Sequence, residues 1–231
     1  MRLSAWARAF LAVAALCAIS PAVAAGPAQS WAGPGTTYIA PASGPNMLGT
    51  STVAIRAARF NGSWANAMQD ATHNPLLLRM VAAARGMPAL QQMQFVQSRV
   101  NNAIRWMSDA TQWGQHDYWA SANQTLRSGA GDMEDRAIVK MQALKALGFS
   151  SNDLWLTLAR DAVGGPVTVL TVRLGGRYYI LDDTGGEPFL VESRRREFQP
   201  VLSFGWNGAW VHTQAPAMAF ARTASAPASG R

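Results

Sequence analysis

Three carboxylates lie within four residues, at Asp132, Glu134 and Asp135, and two glycines, Gly129 and Gly131, precede them. Acidic side chains at a helix start cap its free N–H groups and interact favourably with its dipole, by up to about 1 kcal/mol each. Three clustered acids also repel one another, and a hard cation such as Ca²⁺ would relieve that repulsion. On these residues alone, helix capping and calcium binding both stay open.

No nucleophile accompanies these acids. Met133 stands in the middle of the motif, and its thioether has no proton to lose and is a poor nucleophile. The single cysteine, Cys17, lies near the N-terminus, and the histidines are His73, His116 and His212. A hydrolase rebuilt around one of these histidines, with a serine or threonine as nucleophile, stays open as an alternative.

The N-terminal residues have the pattern of an export signal. Arg2 and Arg8 accompany an apolar run over residues 9–19, and Ala22-Val23-Ala24 offers the small residues that a signal peptidase reads. The run is shorter than the roughly 20 residues that a membrane-spanning helix needs. We expect cleavage after Ala24 and a periplasmic or secreted protein without a transmembrane segment.

Composition divides the remaining chain into three parts. Residues 25–51 are rich in Gly, Pro, Ser and Thr and predict a flexible arm or linker, whereas residues 52–214 are long enough for one domain with a core. Residues 215–231 form an Ala/Pro/Ser-rich tail that is expected to be disordered. The net charge is +7, but the Arg194-Arg195-Arg196 cluster is typical of a solvated loop, so no nucleic-acid partner is predicted.

Hydrophobic periodicity places helices first and strands second. Apolar residues at helical spacing predict one helix over residues 76–87, a longer one over 90–107, and a third from Asp132 to the terminator Gly148. Strands are predicted over residues 153–158, 167–172 and 177–181, and again near 189–191 and 201–204. This order predicts an α+β domain in which the central helix packs on an antiparallel sheet.

This order, with its motifs, resembles the bacterial transglutaminase-like cysteine proteinases, whose periplasmic members of the LapG type cleave large surface adhesins. The resemblance covers residues 64–210 and implies a papain/transglutaminase-like fold. The carrying motifs are Val100-Asn101, Asp109, Trp113-Gly114, Asp117-Tyr118-Trp119-Ala120, Gly129 to Asp135, Ala137-Ile138, Lys140, Leu147-Gly148, Val169-Leu170, Leu181-Asp182 and Phe198 to Phe204.

In the family, a cysteine at the helix start, a histidine at the head of the first hairpin strand and an aspartate ending the next strand form a triad. The resemblance maps these positions to Met133, Val167 and Asp182. Methionine and valine cannot supply a thiolate or a proton-transferring base. The resemblance therefore implies a catalytically inactive relative, a pseudoenzyme, in which no catalytic residue is expected.

The resemblance also implies a cofactor, because LapG-type proteases bind calcium through the acids beside their cysteine. The corresponding residues here are Asp132, Glu134 and Asp135, so calcium becomes a specific expectation for these three carboxylates.

Aromatic residues precede the acidic motif and, by the resemblance, lie near it. Each one could simply fill the core, but exposed rings could hold a peptide. The predicted peptide-binding set is Trp113, Tyr118, Trp119 and Met133. We expect an exported protein that binds a protein or peptide partner in the periplasm or cell envelope. The resemblance implies that this binding serves the regulation of biofilm adhesins. A rebuilt peptidase and a structural cell-envelope protein are the alternatives.

Overall fold

The computed structural model describes residues 44–55, 61–184, 186–190, 193 and 198–213. The predicted signal peptide, the predicted tail and most of the predicted arm lie outside these residues. The described helices are α1 (Asn61–Ala67), α2 (Pro75–Ala84), α3 (Ala89–Ala103), α4 (Asp109–Gln112), α5 (Ala122–Ser128) and α6 (Met133–Ala146), with a 3₁₀ turn at Ser151–Asp153. The described strands are β1 (Ser51–Ile55), β2 (Arg105–Trp106), β3 (Ala130–Gly131), β4 (Leu154–Asp161), β5 (Pro166–Leu174), β6 (Arg177–Leu181), β7 (Phe189–Leu190), β8 (Phe198–Gly205) and β9 (Gly208–Thr213).

Helices α2 and α3 form where the apolar spacing predicts them. Asn74 caps α2, since its side-chain oxygen accepts a hydrogen bond of 2.9 Å from the N–H of Leu76, and Pro75 occupies the first turn. Helix α3 has no side-chain cap and is held by buried residues such as Met93 and Val100. Both helices end a few residues earlier than predicted.

The central helix α6 also begins where predicted. Asp132 is its N-cap and accepts a long hydrogen bond of 3.5 Å from the N–H of Asp135, and Gly148 follows its end with a φ of +99°. Ile138 and Leu144 are fully buried. The helix packs against β4 and β5 on one side and against α2, α3 and α5 on the other. It is therefore buried between the sheet and the other helices.

The sheet contains seven strands in the order β1-β9-β8-β4-β5-β6-β7, and neighbouring strands are antiparallel. Gly175 and Gly176 make the β5–β6 turn at φ values of +58° and +76°, which glycine adopts without strain. Side chains alternate between the two faces of β5. Leu170 and Val172 join the core cluster that contains α6, whereas Val169 joins a second cluster on the opposite face.

The predicted boundary between arm and domain requires a correction. Residues 44–51 belong to the folded unit, because Met47 and Leu48 are 1% and 4% exposed and pack in the second core cluster. The N–H of Gly44 donates to the carbonyl of Thr52 at 2.8 Å, and β1 pairs with β9. A composition rich in Gly and Pro predicts a loop but does not show whether that loop is packed against the sheet.

The α+β class predicted from the order of elements is confirmed. The hairpin β5–β6, the central helix and strands near each of the predicted positions are present, whereas β1 and β9 were not predicted. Within the described ranges, none of the helices combines the length and the apolar character that crossing a bilayer requires.

Candidate functional site

Two short parallel strands, β2 and β3, position the segment that leads directly into the acidic motif at the start of α6. The N–H of Arg105 donates to the carbonyl of Gly129 at 2.9 Å, and the N–H of Met107 donates to that of Gly131 at 3.1 Å. A Cβ at position 131 would lie 2.7 Å from the Cβ of Asp135, so only glycine fits there. The Asp135 side chain therefore packs directly against the backbone of β3.

Asp135 is the most buried acid of the motif, at 0% exposed. Its Oδ1 accepts a hydrogen bond of 2.8 Å from the N–H of Ala120. Its Oδ2 is buried and has no hydrogen-bond partner among the residues that the structure describes. A buried carboxylate oxygen without a donor costs free energy, since it has lost its hydration without replacement.

Asp109, the first residue of α4, completes a group of three acids. It is 4% exposed, its Oδ2 accepts a hydrogen bond of 2.6 Å from the N–H of Tyr118, and its Oδ1 is buried without a partner. One oxygen from each of Asp109, Asp132 and Asp135 lies within 4.8 Å of the others. We call these three residues the acidic trio. Its oxygen-only donors and two orphan oxygens fit a hard cation such as Ca²⁺.

Burial and mutual repulsion keep protons on the acidic trio. Burial, followed by the charge of Asp132, raises the pKa of Asp135 to about 8. Burial, followed by the charge of Asp109, raises the pKa of Asp132 to about 7. The pKa of Asp109 is also raised, again chiefly by burial. Near neutral pH the trio therefore holds protons that a bound cation would displace.

Glu134 lies in the predicted calcium set but outside the acidic trio. It is 2% exposed, and its side chain hydrogen-bonds Asp132, which lowers the pKa of Asp132 against the larger effect of burial. The structure thus brings together two of the three predicted ligands, Asp132 and Asp135, with Asp109 as the third. Glu134 is placed to support Asp132 from beside the trio.

The positions mapped to the nucleophile and to the triad acid lie on different elements. Met133, the first residue of α6, is half-buried. Asp182 directly follows β6, and its Oδ1 accepts hydrogen bonds from the N–H of Thr184 at 3.2 Å and from the Thr184 hydroxyl at 2.9 Å. Its backbone carbonyl accepts a hydrogen bond of 3.1 Å from Asn101. Asp182 is therefore already engaged in a local turn.

The position mapped to the histidine lies on the other face of the sheet. Val167 pairs with Ala159 and packs against the second core cluster, away from α6. Its neighbour Thr168 is paired with Leu158 and faces the core cluster that contains α6. Thr168 is 2% exposed, and its hydroxyl has no hydrogen-bond partner. Neither residue can act as a base.

Comparison with known proteins now gives the family. The family model of the bacterial transglutaminase-like cysteine proteinases matches residues 73–216. The chain belongs to this family. Legionella pneumophila LapG is similar in structure, with a TM-score of 0.52 and 27% identity over 59% of this chain and 76% of LapG. The calcium-bound form of that LapG has a TM-score of 0.52 and 25% identity over 62% of this chain and 81% of its own. No curated protein matches the chain in sequence.

A rebuilt catalytic site in this family member would need a histidine close to both a hydroxyl nucleophile and a carboxylate. His212 Nε2 lies 2.8 Å from the hydroxyl of Ser203, and Nδ1 lies 2.7 Å from that of Thr50. Both ring nitrogens are thus engaged by hydroxyls rather than by a carboxylate. Ser203 is 0% exposed, and burial lowers the pKa of His212 to about 4. His73 and His116 are exposed and hydrogen-bond no described hydroxyl.

The residues of the predicted peptide-binding set are only partly exposed. Trp119 is 1% exposed, its ring packs edge-on against Phe204 at 5.3 Å, and it therefore belongs to the core, which corrects its predicted role. Trp113 and Tyr118 are half-buried, with ring centroids 5.1 Å apart. Trp106 belongs to the same aromatic stretch but not to the predicted peptide-binding set. It is 57% exposed and pairs with Gly131 in the β2–β3 ladder. Its place beside the motif depends on that pairing.

Proposed function

We propose that this family member is an exported, catalytically inactive relative of the LapG-type proteases. It binds a protein or peptide partner in the periplasm or cell envelope and holds Ca²⁺ in its acidic trio. The observation that carries the proposal is the combination of the acidic trio with Met133 at the helix start. The site offers acids that suit a cation and lacks the thiol that cleavage needs.

Inactivity is supported by the chemistry of the three triad positions. Met133 has no ionisable proton, and neither Val167 nor Thr168 is a base. Asp182 alone keeps the residue type that the family uses, and its Oδ1 is engaged by Thr184. The Ser203–His212 pair offers no replacement, since both residues are buried and the other ring nitrogen of His212 contacts the Thr50 hydroxyl rather than a carboxylate.

Calcium binding is supported by the unpartnered oxygens of Asp109 and Asp135. When bound, Ca²⁺ would supply the positive charge that these carboxylates lack, and backbone carbonyls or water would complete its roughly 6–8 oxygen ligands. Asp109 belongs to α4, and Asp132 and Asp135 to the start of α6. Their shared cation would therefore fix the α4 segment, which leads to Trp113 and Tyr118, against the central helix.

Partner binding is supported by the surface around Met133. Trp106 is largely exposed, and Met133, Trp113 and Tyr118 are half-buried. Aromatic and methionine side chains supply much of the contact area at protein interfaces. An apolar residue in place of a nucleophile suits a surface that holds a peptide without cutting it.

The proposal is tested by exposing a proteome-derived peptide mixture to the mature protein with calcium and following new peptide termini by mass spectrometry. We expect no cleavage above that of a heat-denatured control, and calcium-dependent retention of a subset of peptides. Retention should weaken in Trp106→Ala, with the distant exposed Val163→Ala as control, because Val163 lies in the β4–β5 turn. Cleavage by the native protein would contradict the proposed inactivity.

A further inference from the structure

A second concave surface lies on the helical layer, and none of the acidic trio is among its lining residues. Helices α2 and α3 and the end of α5 enclose a cleft of about 240 Å³. Its wall includes the apolar side chains of Leu76, Phe95 and Leu126, and two arginines, Arg79 and Arg99, also line it. A typical small-molecule site has a volume of about 300–1,000 Å³, so this cleft matches one large side chain rather than a whole cofactor.

The charged residues that line this cleft, Arg79 and Arg99, are both positive. Between Asp70 and Asp109 the sequence contains no acidic residue, and the arginines of that stretch are Arg79, Arg85, Arg99 and Arg105. Among the described residues, ion pairs are formed by Arg136 and Arg173, and neither Arg79 nor Arg99 has an acidic partner. The two arginines that line the cleft are therefore available to an acidic ligand.

Apolar exposure is concentrated on the same helices. Leu76, Leu78 and Leu90 are 42%, 49% and 41% exposed, and they account for most of the large exposed apolar residues in the described part of the chain. Leu76 and Leu78 belong to α2 and Leu90 to the first turn of α3. Of these three leucines, Leu76 also lines the cleft, so an exposed apolar side chain forms part of the cleft's wall.

We propose that this cleft, the α2–α3 cleft, is a docking site for an acidic peptide segment of a protein partner. The segment inserts one large apolar side chain beside Phe95 and Leu126, and its flanking carboxylates meet Arg79 and Arg99. The proposal rests on the proposed function in assuming a protein partner. It adds a second contact surface that does not involve the acidic trio.

The charge pattern selects this occupant over others. Residues 1–43 and 214–231 contain no Asp or Glu, so the ends of this chain lack the side-chain carboxylates that two arginines would attract. An anionic bilayer would meet a convex or flat surface, whereas the apolar wall here is concave and the size of a side chain. An anchor side chain in a pocket, ringed by charge, is the usual arrangement of a peptide hot spot.

The test uses fluorescence anisotropy with a labelled short peptide that has a central phenylalanine flanked by glutamates. Matched peptides replace the phenylalanine with alanine or the glutamates with lysines. We expect binding of the first peptide alone, and weakening of at least about tenfold in Arg79→Ala/Arg99→Ala and in Ala83→Phe, which fills the cleft. Arg85→Ala is the control, because Arg85 is exposed outside the cleft.

Three results would overturn the proposal. The first is no binding of the phenylalanine peptide by the folded protein. The second is equal weakening by Arg85→Ala, which would show charge attraction without a site. The third is binding to anionic phosphatidylglycerol vesicles without peptide binding, which would assign the surface to membranes. Melting curves verify folding of each variant. Asp135→Asn separates the two proposals, since it should weaken calcium binding at least about tenfold and leave this peptide's affinity unchanged.

Discussion

The start of helix α6 and its middle both bury charged groups, but the surroundings of those groups differ. At the start, Asp132 and Asp135 lie beside Asp109, and no described cation forms an ion pair with any of the three. Two of their oxygens lack any hydrogen-bond donor. The charges there have the same sign, and burial raises all three pKa values.

In the middle of the helix, the buried charges face opposite ones. Arg136 donates to the carbonyl of Ile104 at 2.7 Å and lies 3.7 Å from the carboxylate of Asp183. Lys140 is 1% exposed and donates to the backbone carbonyl of Asp182. Burial lowers the pKa of Lys140 to about 7, and the charges of Asp182 and Asp183 oppose that shift.

The difference separates a structural role from a binding role. Arg136 and Lys140 fasten the residues after β6 to the central helix, and their partners are supplied by the protein itself. The acidic trio has no such internal partner, so its electrostatic cost is relieved either by protons or by a cation from outside. The predictions below test whether the acidic start of the helix and the basic residues that follow it behave in these two ways.

The largest effect is expected from Lys140→Ala. Removing one partner of a buried charged contact costs about 3–5 kcal/mol, because the carbonyl of Asp182 loses its donor, the nearby carboxylates lose a positive charge and a cavity forms. Lys145 is exposed on the same helix, over the ring of Trp206, so Lys145→Ala should cost less than about 1 kcal/mol. Urea unfolding measures both free energies. Similar losses for the two variants would contradict a structural role for Lys140.

The next effect concerns pH and the calcium-free protein. A raised carboxyl pKa in the folded state adds stability at low pH, and that stability is lost as pH rises through the folded value. The pKa of Asp135 is about 8 in the folded state. Between pH 5 and 9, the free energy of unfolding of the wild type should therefore fall by more than about 1 kcal/mol relative to that of Asp135→Asn. His212 and Lys140 titrate in both proteins and cancel in this difference.

Urea unfolding with chelator across that pH range measures the difference curve. Excess calcium should remove its downward slope, because the bound cation favours the ionised carboxylates. A difference curve that rises with pH in the calcium-free protein would mean that Asp135 is stabilised as an anion by the protein itself. The contrast between the start and the middle of α6 would then fail.

A smaller effect is expected at the mapped nucleophile position. In Met133→Cys, without the predicted signal peptide, the new thiol is the only one in the chain and lies at a helix start beside the acidic trio. Ionised carboxylates disfavour a thiolate, and a cation bound to them favours it. Calcium should therefore accelerate alkylation of this cysteine severalfold, as followed by mass spectrometry. Equal rates with calcium and with chelator would place the cation away from position 133.

Sequence patterns predicted the parts of the site that are local in the chain. Asp132 and Asp135 are a helix turn apart, so their proximity follows from the helix start itself. Asp109 is distant in sequence, and its position depends on the β2–β3 pairing and on the hydrogen bond from Tyr118, neither of which leaves a periodic pattern. Glu134 is adjacent in sequence to the ligands but outside the trio.

Fold prediction failed where short apolar elements lie in polar surroundings. Strand β5 is rich in β-branched residues, β6 contains Tyr178, Tyr179 and Ile180, and a glycine turn joins them, so both strands were predicted. Strand β1 follows a Gly/Pro-rich stretch, and its contribution depends on pairing with β9 rather than on its own residues. The burial of Trp119 against Phe204 is likewise a tertiary contact, which residue type alone does not specify.

The most direct test of the central claim is a calcium titration by calorimetry near neutral pH, with magnesium as the ion control. We expect wild-type protein to bind one Ca²⁺ and release protons, with affinity weakened at least about tenfold in Asp109→Asn and Asp135→Asn. Glu134→Gln should keep most of the affinity, because Glu134 supports Asp132 from outside the trio. If the wild type bound no calcium, the account would be contradicted. The same holds if Glu134→Gln lost calcium affinity and Asp109→Asn did not.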